Sequence, residues 1–296
     1  MDFYNGKDLI QKCNEENLSI SSIMELREIT TGSLTKDEVD SKIKLALSIM
    51  KKSATKPLTS PQKSIGGLIG GEAQKISSHG KTDNCVCGTM LSKAIAYSMA
   101  VLEVNASMGL IVAAPTAGSA GVVPGVLLAL ADEYQIDDET LCKGLINASA
   151  IGYLLMRNAS VAGAEAGCQA EVGAASAMAA SGIVEIMGGT PEMCLTAASF
   201  AISNLLGLVC DPIAGLVESP CQSRNAIGVS NAIASAELAL SGITHPIPFD
   251  EMVEAMLRVG RGLPFELRET AMGGCAGTPT GCSLGCNICS QTTKDR

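Results

Sequence analysis

The sequence predicts a mainly α-helical protein built around one large helical domain. Aromatic residues make up only 3% of the 296 residues and tryptophan is absent, whereas hydrophobic residues make up 47%. Because β-sandwiches favour aromatic and β-branched residues, this composition favours closely packed helices. Long stretches rich in Ala, Leu and Met are separated by glycine-rich breaks, and no alternation of strands and helices is evident.

Residues 1–58 are charged and predict an amphipathic helical arm. Thr35 and Glu38 form a capping-box pattern. Apolar residues follow at helical spacing, namely Val39, Ile43, Ala46, Ile49 and Met50. Residues 51–63, rich in Lys, Ser, Thr and Pro, indicate a linker. We therefore predict an N-terminal arm over 1–58, a catalytic domain over 59–281 and a cysteine-containing tail over 282–296.

The catalytic domain opens on a glycine-dense segment, residues 64–71, that lacks the order of a nucleotide-binding motif. The most apolar stretch, residues 108–131, contains Pro115 and Pro124 and several glycines, so it is predicted to be a buried loop between core helices and not a membrane span. Thr190 followed by Pro191 predicts the start of a helix. A further helix is predicted over 249–259, with Gly260 as its stop.

Charge and cysteine content exclude several functional classes. The net charge of −9 disfavours a nucleic-acid surface, which needs clustered Lys and Arg. Residues 1–17 are polar and of mixed charge, unlike a secretion signal, so a cytoplasmic location is expected. Twelve cysteines in that compartment indicate metal or redox chemistry and not a disulfide framework.

Cys168, Cys210 and Cys221 are the most informative of these cysteines. They lie in glycine- and alanine-rich or turn-forming segments, 42 and 11 residues apart. Such wide spacing fits ligands delivered from several helix ends to one metal cluster, with one metal left open for substrate. The spacing is equally compatible with buried structural cysteines.

Other candidate residues carry two interpretations each. The segment APTAGSAG, residues 114–121, combines hydroxyls and glycines that suit a carboxylate, but also a tight helix connector. Asn158 and Ser160 have the same ambiguity. His79, among small polar residues, is compatible with a surface turn. The pattern Cys282, Cys286 and Cys289 is similar to a radical-enzyme cluster motif but stands at the wrong end of the chain. A disordered tail, a second metal site or a cysteine entering the active site fit that pattern better.

Four segments, residues 103–127, 158–180, 207–228 and 268–281, resemble the α chain of iron-sulfur L-serine dehydratase. Their strings occur in the same order as in that family: EVNASMGLIVAAPTAGSAGVVPGVL, NASVAGAEAGCQAEVGAASAMAA, GLVCDPIAGLVESPCQSRNAIG and RETAMGGCAGTPTG. The resemblance covers roughly residues 60–281. It implies a helical catalytic chain whose glycine-rich loops surround a [4Fe-4S] cluster held by Cys168, Cys210 and Cys221.

The resemblance also implies a substrate, a partner and a set of roles. L-serine would be dehydrated to pyruvate and ammonia without pyridoxal phosphate, and a separate β subunit would complete the enzyme. Thr116, Gly118 and Ser119 would bind substrate, with Asn158, Ser160 and Arg224 as further candidates. His79 or Lys81, or a residue of the β partner, would accept the α-proton. In the family a C-terminal cysteine can occupy the open iron, and the clustered tail cysteines here leave its identity open.

Two rival functions are compatible with the same residues. A cysteine desulfidase would use the same cluster to expel sulfide in place of hydroxide. A non-catalytic iron-sulfur sensor would need the fourth iron position filled, whereas the polar segments around Thr116 and Ser160 favour a small-molecule pocket.

Overall fold

The helices and the loops between them form the fold in the part of the chain that the computed structural model describes, which is the backbone of residues 1–292 and the side chains of residues 1–290. The helices are α1 Gly6–Glu16, α2 Ile20–Thr30, α3 Lys36–Thr59, α4 Glu72–His79, α5 Gly88–Ala106, α6 Val122–Tyr134, α7 Asp138–Asn158, α8 Gly163–Ala166, α9 Ala174–Ile186, α10 Pro191–Asn204, α11 Cys221–Leu240, α12 Phe249–Gly262 and α13 Pro279–Thr292. The predicted mainly α class is therefore confirmed.

Helix α9 lies at the centre of the molecule. It packs against α6, α7, α10 and α11, and eleven of its thirteen residues are buried. Its sequence, AASAMAASGIVEI, consists mostly of small side chains, which let the surrounding helices approach closely. Similar close packing joins α5 to the start of α6, where a Cβ on Gly121 would lie 2.3 Å from the Ser98 carbonyl oxygen. Because small residues let the helices pack closely, this core is filled with few aromatic side chains.

The N-terminal helices pack on the same core. Helix α2 contacts α7, and α3 contacts α5. The predicted capping box is confirmed: the Thr35 side chain accepts from the Glu38 N–H, and the Glu38 carboxylate accepts from the Thr35 N–H at 2.7 Å. The predicted linker over 51–63 is wrong over most of its length, because α3 continues to Thr59. Buried side chains at 47, 50, 54 and 57 keep the spacing of three to four residues that holds this helix on the core.

The sequence predicted that Gly260 ends its helix, and the structure shows that it does not. Helix α12 continues to Gly262, and Gly260 is buried inside it. A Cβ on Gly260 would lie 2.4 Å from the Ala166 Cβ, so this glycine permits close contact between α12 and α8. The predicted N-cap at Thr190 is confirmed, since its side chain accepts from the Met193 N–H.

The apolar stretch over 108–131 divides into two parts. Residues 107–121 form a loop whose first part is exposed, with Met108 80% and Leu110 72% accessible, and whose last part, residues 118–121, is buried. From Val122 onwards the stretch is helix α6 and not loop. Among the described residues, no helix combines the length and the apolar character that crossing a membrane requires.

Candidate active site

Cys168, Cys210 and Cys221 come from segments distant in sequence, and the fold buries all three side chains. Cys168 precedes a π-helical turn, Gln169–Gly173, that leads into α9. Cys210 lies in an extended segment paired with Arg268, and Cys221 is the first residue of α11. π-helical turns are often found at functional sites, where they change the direction of a helix. Two helix starts and one extended segment thus direct three thiols toward one region.

The pKa values of the three thiols reflect this convergence. Burial, followed by the charge of Glu171, raises the pKa of Cys168 to about 12. Burial, followed by the charges of Cys168 and Glu171, raises the pKa of Cys221 to about 12. The pKa of Cys210 is also raised, by burial, by Glu171 and by the other two cysteines. The thiols are thus close enough for the charge of one to act on another.

Glu171 is the functional candidate that the sequence analysis missed. Its carboxylate accepts a hydrogen bond from Thr116 Oγ1 at 2.7 Å and from Cys210 Sγ at 3.7 Å. Burial raises the pKa of this carboxyl group, although the Thr116 hydrogen bond opposes the shift. The available signal was an ionisable residue three positions after Cys168, in a segment made up mostly of Gly and Ala.

The predicted carboxylate cradle, residues 114–121, lies beside these groups. Thr116 Oγ1 is 3.2 Å from Ser119 Oγ, and Ser119 Oγ donates to the Ala114 carbonyl oxygen. A Cβ on Gly118 would lie 3.1 Å from the Glu171 carboxylate. Thr116, Gly118 and Ser119 are therefore brought to the cysteines, as the substrate-binding hypothesis requires.

Asn225 connects this loop to the helix that carries Cys221. Its side-chain amide donates to the Gly118 and Cys221 carbonyl oxygens at 2.8 and 2.9 Å, and its oxygen accepts from the Gly121 N–H at 3.0 Å. The Asn225 side chain is fully buried. One amide thus holds the loop in position relative to α11.

Arg224 is partly buried next to the cysteines and pairs with the buried Asp211. Its Nη2 is 2.7 Å from Asp211 Oδ1, and its Nη1 donates to the Val209 carbonyl oxygen. Asp211 also accepts from the Cys275 N–H at 2.6 Å. Gly274 approaches so closely that a Cβ there would lie 2.1 Å from the Asp211 carboxylate, at a φ of 57° that also favours glycine. These contacts hold the segment next to Cys210 in place.

The backbone of Cys210 pairs with the segment after α12. The Cys210 N–H donates to the Leu267 carbonyl oxygen at 2.9 Å, and the Glu269 N–H donates to the Cys210 carbonyl oxygen at 2.7 Å. The charge of Glu269 contributes to the raised pKa values of Cys210 and Glu171. Glu269 is thus a second acidic neighbour of the site that the sequence analysis did not single out.

The remaining predicted residues make no hydrogen bond to the three buried cysteines within the described chain. Asn158 and Ser160 line a neighbouring cavity, where Asn158 donates to the Tyr4 carbonyl oxygen and Ser160 to the Glu165 carboxylate. His79 ends helix α4 and Lys81 follows it, and both are exposed. No hydrogen bond within the described chain joins either of these two to the cysteines.

The tail cysteines are arranged differently from the buried three. Cys282, Cys286 and Cys289 lie on α13, and all three are exposed. Helix α13 packs against the turn Ile213–Gly215, which follows Cys210. The tail is thus helical through Thr292, and the rest of the predicted tail segment, residues 293–296, lies outside the described residues.

Comparison with known proteins gives a consistent result. A family model described as serine dehydratase alpha chain matches residues 15–276. The probable L-serine dehydratase alpha chain of Bacillus subtilis (strain 168) is 45% identical over 95% of this chain and 94% of its own length. The L-serine dehydratase alpha chain of Peptoniphilus asaccharolyticus is 46% identical over 93% of this chain and 94% of its own length.

One relative is considerably longer. L-serine dehydratase TdcG of Escherichia coli (strain K12) is 33% identical over 93% of this chain, but the match covers only 62% of that relative. The family match includes the loop, Glu171 and the three cysteines that the fold brings together. The chain belongs to the serine dehydratase alpha chain family.

Proposed function

We propose that this chain is the catalytic subunit of an iron-sulfur L-serine dehydratase that converts L-serine to pyruvate and ammonia without pyridoxal phosphate. One observation carries the proposal: three buried cysteines from distant segments meet beside Glu171 and the hydroxyl-bearing loop over 114–121. The names of the relatives support the choice of L-serine as substrate.

The donor set fits a [4Fe-4S] cluster. Three thiols and no histidine are soft ligands of the kind that bind iron-sulfur clusters. Among the described residues, no three His, Cys, Asp or Glu side chains are close enough to share a single ion. A four-iron cluster needs a wider separation, because each thiolate binds a different iron. Gly163 leaves the necessary room, since a Cβ there would lie 2.9 Å from Cys210 Sγ.

We assign the substrate carboxylate to the loop over 114–121. The Thr116 and Ser119 hydroxyls donate to Glu171 and to the Ala114 carbonyl oxygen in the structure and would turn to the bound carboxylate, and Gly118 lets the backbone approach a ligand. Before substrate binds, the Glu171 carboxylate accepts a hydrogen bond from Thr116 Oγ1 and so orients that hydroxyl. Arg224, held by Asp211, places a fixed positive charge beside the same site. Ser119, Asp211 and the three cysteines are buried, which keeps bulk water away from the reacting groups.

The reaction needs the loss of hydroxide and of the α-proton. When bound, the cluster supplies an iron that acts as a Lewis acid on the serine hydroxyl. A base accepts the α-proton, and we retain His79, Lys81 or a residue of the partner for this role. The resulting aminoacrylate tautomerises to an imine, and water hydrolyses the imine to pyruvate and ammonia.

We further propose a β subunit as partner. Two of the relatives above are named alpha chains, and the match to the Escherichia coli relative covers 62% of that protein. Exposed apolar side chains at Ile65, Met108 and Leu110 support a docking surface. The Ile65 N–H donates to the carbonyl oxygen of Ala106 at the end of α5, two residues before Met108.

The test is anaerobic purification, cluster reconstitution and assay of pyruvate from L-serine, with and without a co-expressed β subunit. A Cys210→Ala variant serves as the control for the cluster. Pyruvate formed by the parent and absent in the variant is the expected result. Sulfide from L-cysteine without pyruvate from L-serine would replace the proposal with a desulfidase. An intact cluster without turnover of either substrate, even with the partner present, would favour a sensor.

A further inference from the structure

A second cavity lies next to the cysteine site and is rich in arginine. It has a volume of about 510 Å³ and lies between the end of α7, α8, α12 and the segment after α12. Arg157, Arg261 and Arg268 line it. The chain has only seven arginines and a net charge of −9, so three arginines around one cavity form a distinct positive region.

The three guanidinium groups have few protein partners. Arg157 is held in place by the Tyr4 ring, 4.4 Å from its guanidinium carbon, and by a hydrogen bond to the Tyr153 hydroxyl. Within the described residues Arg261 forms no ion pair. The Arg268 Nε–H is buried and has no hydrogen-bond partner among the same residues. Buried donors are normally satisfied, so this one calls for an acceptor that the described residues do not supply.

The negative charge in the cavity is smaller than the positive charge. Glu165 is the acidic residue among the lining side chains, and it already accepts a hydrogen bond from Ser160 Oγ at 2.5 Å. The Asn158 amide is occupied by the Tyr4 carbonyl oxygen. Like charges gathered in a partly enclosed space repel one another, and a bound anion would relieve that repulsion.

We propose that this cavity binds a small oxyanion, either a carboxylate or a phosphate compound. Guanidinium groups bind both through paired N–H donors, and several arginines around one space are typical of such recognition. The volume is within the range of small-molecule sites. This inference does not depend on the proposed dehydratase function.

The cavity is separate from the cysteine site but borders it. Helix α8 lies between the two: Gly163 approaches Cys210 and Glu171, whereas Ala164, Glu165 and Ala166 line the arginine cavity. Arg268 belongs to both regions, because its backbone pairs with Cys210 while its side chain reaches the cavity. A bound anion would thus contact the residue paired with a proposed cluster ligand.

The test is isothermal titration of the full chain with citrate and, separately, with inorganic phosphate, at constant ionic strength. Arg261→Gln removes one guanidinium from the cavity. Arg258→Gln is the matched control, because Arg258 lies on the same helix, outside the cavity, and pairs with Glu254. Ser119→Ala tests whether the probe binds instead at the cysteine site.

We expect binding of at least one probe, weakened about tenfold by Arg261→Gln, as expected for loss of hydrogen bonds to a charged group. Arg258→Gln and Ser119→Ala should leave the affinity unchanged. Preference for citrate or for phosphate identifies the carboxylate or the phosphate class. Absence of binding of both probes to the parent, equal weakening by Arg258→Gln, or loss of binding in Ser119→Ala would each overturn the proposal.

Discussion

Two groups of three cysteines differ both in their spacing along the sequence and in their burial. Cys282, Cys286 and Cys289 lie within eight residues and follow the spacing of one helix face, yet all are exposed on α13. Cys168, Cys210 and Cys221 are spread over 54 residues, yet all are buried and influence one another's pKa. The short motif is the more conspicuous in sequence, whereas the dispersed set forms the better-enclosed site.

The difference has a physical cause. A helix places residues four apart on one side but does not by itself exclude water from them. The buried set is enclosed by an acid, an amide and a glycine, namely Glu171, Asn225 and Gly163, and each of them contacts a cysteine or a loop residue that is distant in sequence. Such surroundings restrict the positions of the three proposed ligands, as supporting contacts do at metal sites generally.

The largest expected effect comes from changing one thiol in each group. Cys168→Ala should abolish both iron binding and serine turnover after reconstitution, because the cluster would lose one of three protein ligands. Cys286→Ala should retain the iron content of the parent, because Cys286 is exposed. Iron analysis and the visible absorbance of the reconstituted proteins measure the bound cluster in both variants. Equal loss in the two variants would remove the distinction between the groups.

Adding a methyl group at Gly163 tests how tightly the buried site is enclosed. A Cβ there would lie 2.7 Å from Glu171 Oε2 and 2.9 Å from Cys210 Sγ, so both groups must move. Gly163→Ala should lower kcat/KM about a hundredfold, the cost of displacing reacting groups by about 1 Å.

Gly262→Ala is the matched control for this variant, because nothing lies within 4 Å of the position that its Cβ would take. Serine turnover and thermal unfolding should be measured for both proteins. Parent-like kinetics in Gly163→Ala would show that the space beside Cys210 is not needed.

Removing the charge of Glu171 tests the acidic neighbour of the cysteines. Glu171→Gln keeps the size of the side chain but weakens its interactions with Thr116 and Cys210. We expect activity to fall about tenfold to a hundredfold, as is typical for residues that support metal ligands. Glu139→Gln, on the exposed side of α7, controls for the loss of one negative charge. Steady-state kinetics with L-serine distinguish the two, and matching values would assign Glu171 no functional role.

Replacing Asn225 tests the connection between the loop and α11. Asn225→Ala removes three buried hydrogen bonds, to Gly118, Gly121 and Cys221. At roughly 1 kcal/mol for each net bond, the free energy of unfolding should fall by about 3 kcal/mol. Urea denaturation monitored by circular dichroism measures this change. A loss below about 1 kcal/mol would mean that the loop holds its position without this amide.

Much of the fold could be predicted from sequence because its signals are local. The low aromatic content and the Ala-rich stretches indicate helices, and the caps at Thr35 and Thr190 depend on residues within three positions. The resemblance of four segments to a known family also identified the chain correctly. Glycines were harder to interpret, because Gly260 differs from a helix stop only through its contact with Ala166, almost a hundred residues away.

The sequence by itself determined the helical class, several helix boundaries and the family, since each depends on composition, short-range pattern or ordered motifs. Only the tertiary structure decided that Glu171 lies against Cys210 and Thr116, that Asn158 and Ser160 line the arginine cavity, and that α3 continues through the expected linker. These features arise from side chains that meet after long segments have packed. Their contacts are stabilised by burial and by hydrogen bonds between distant residues, which local spacing does not specify.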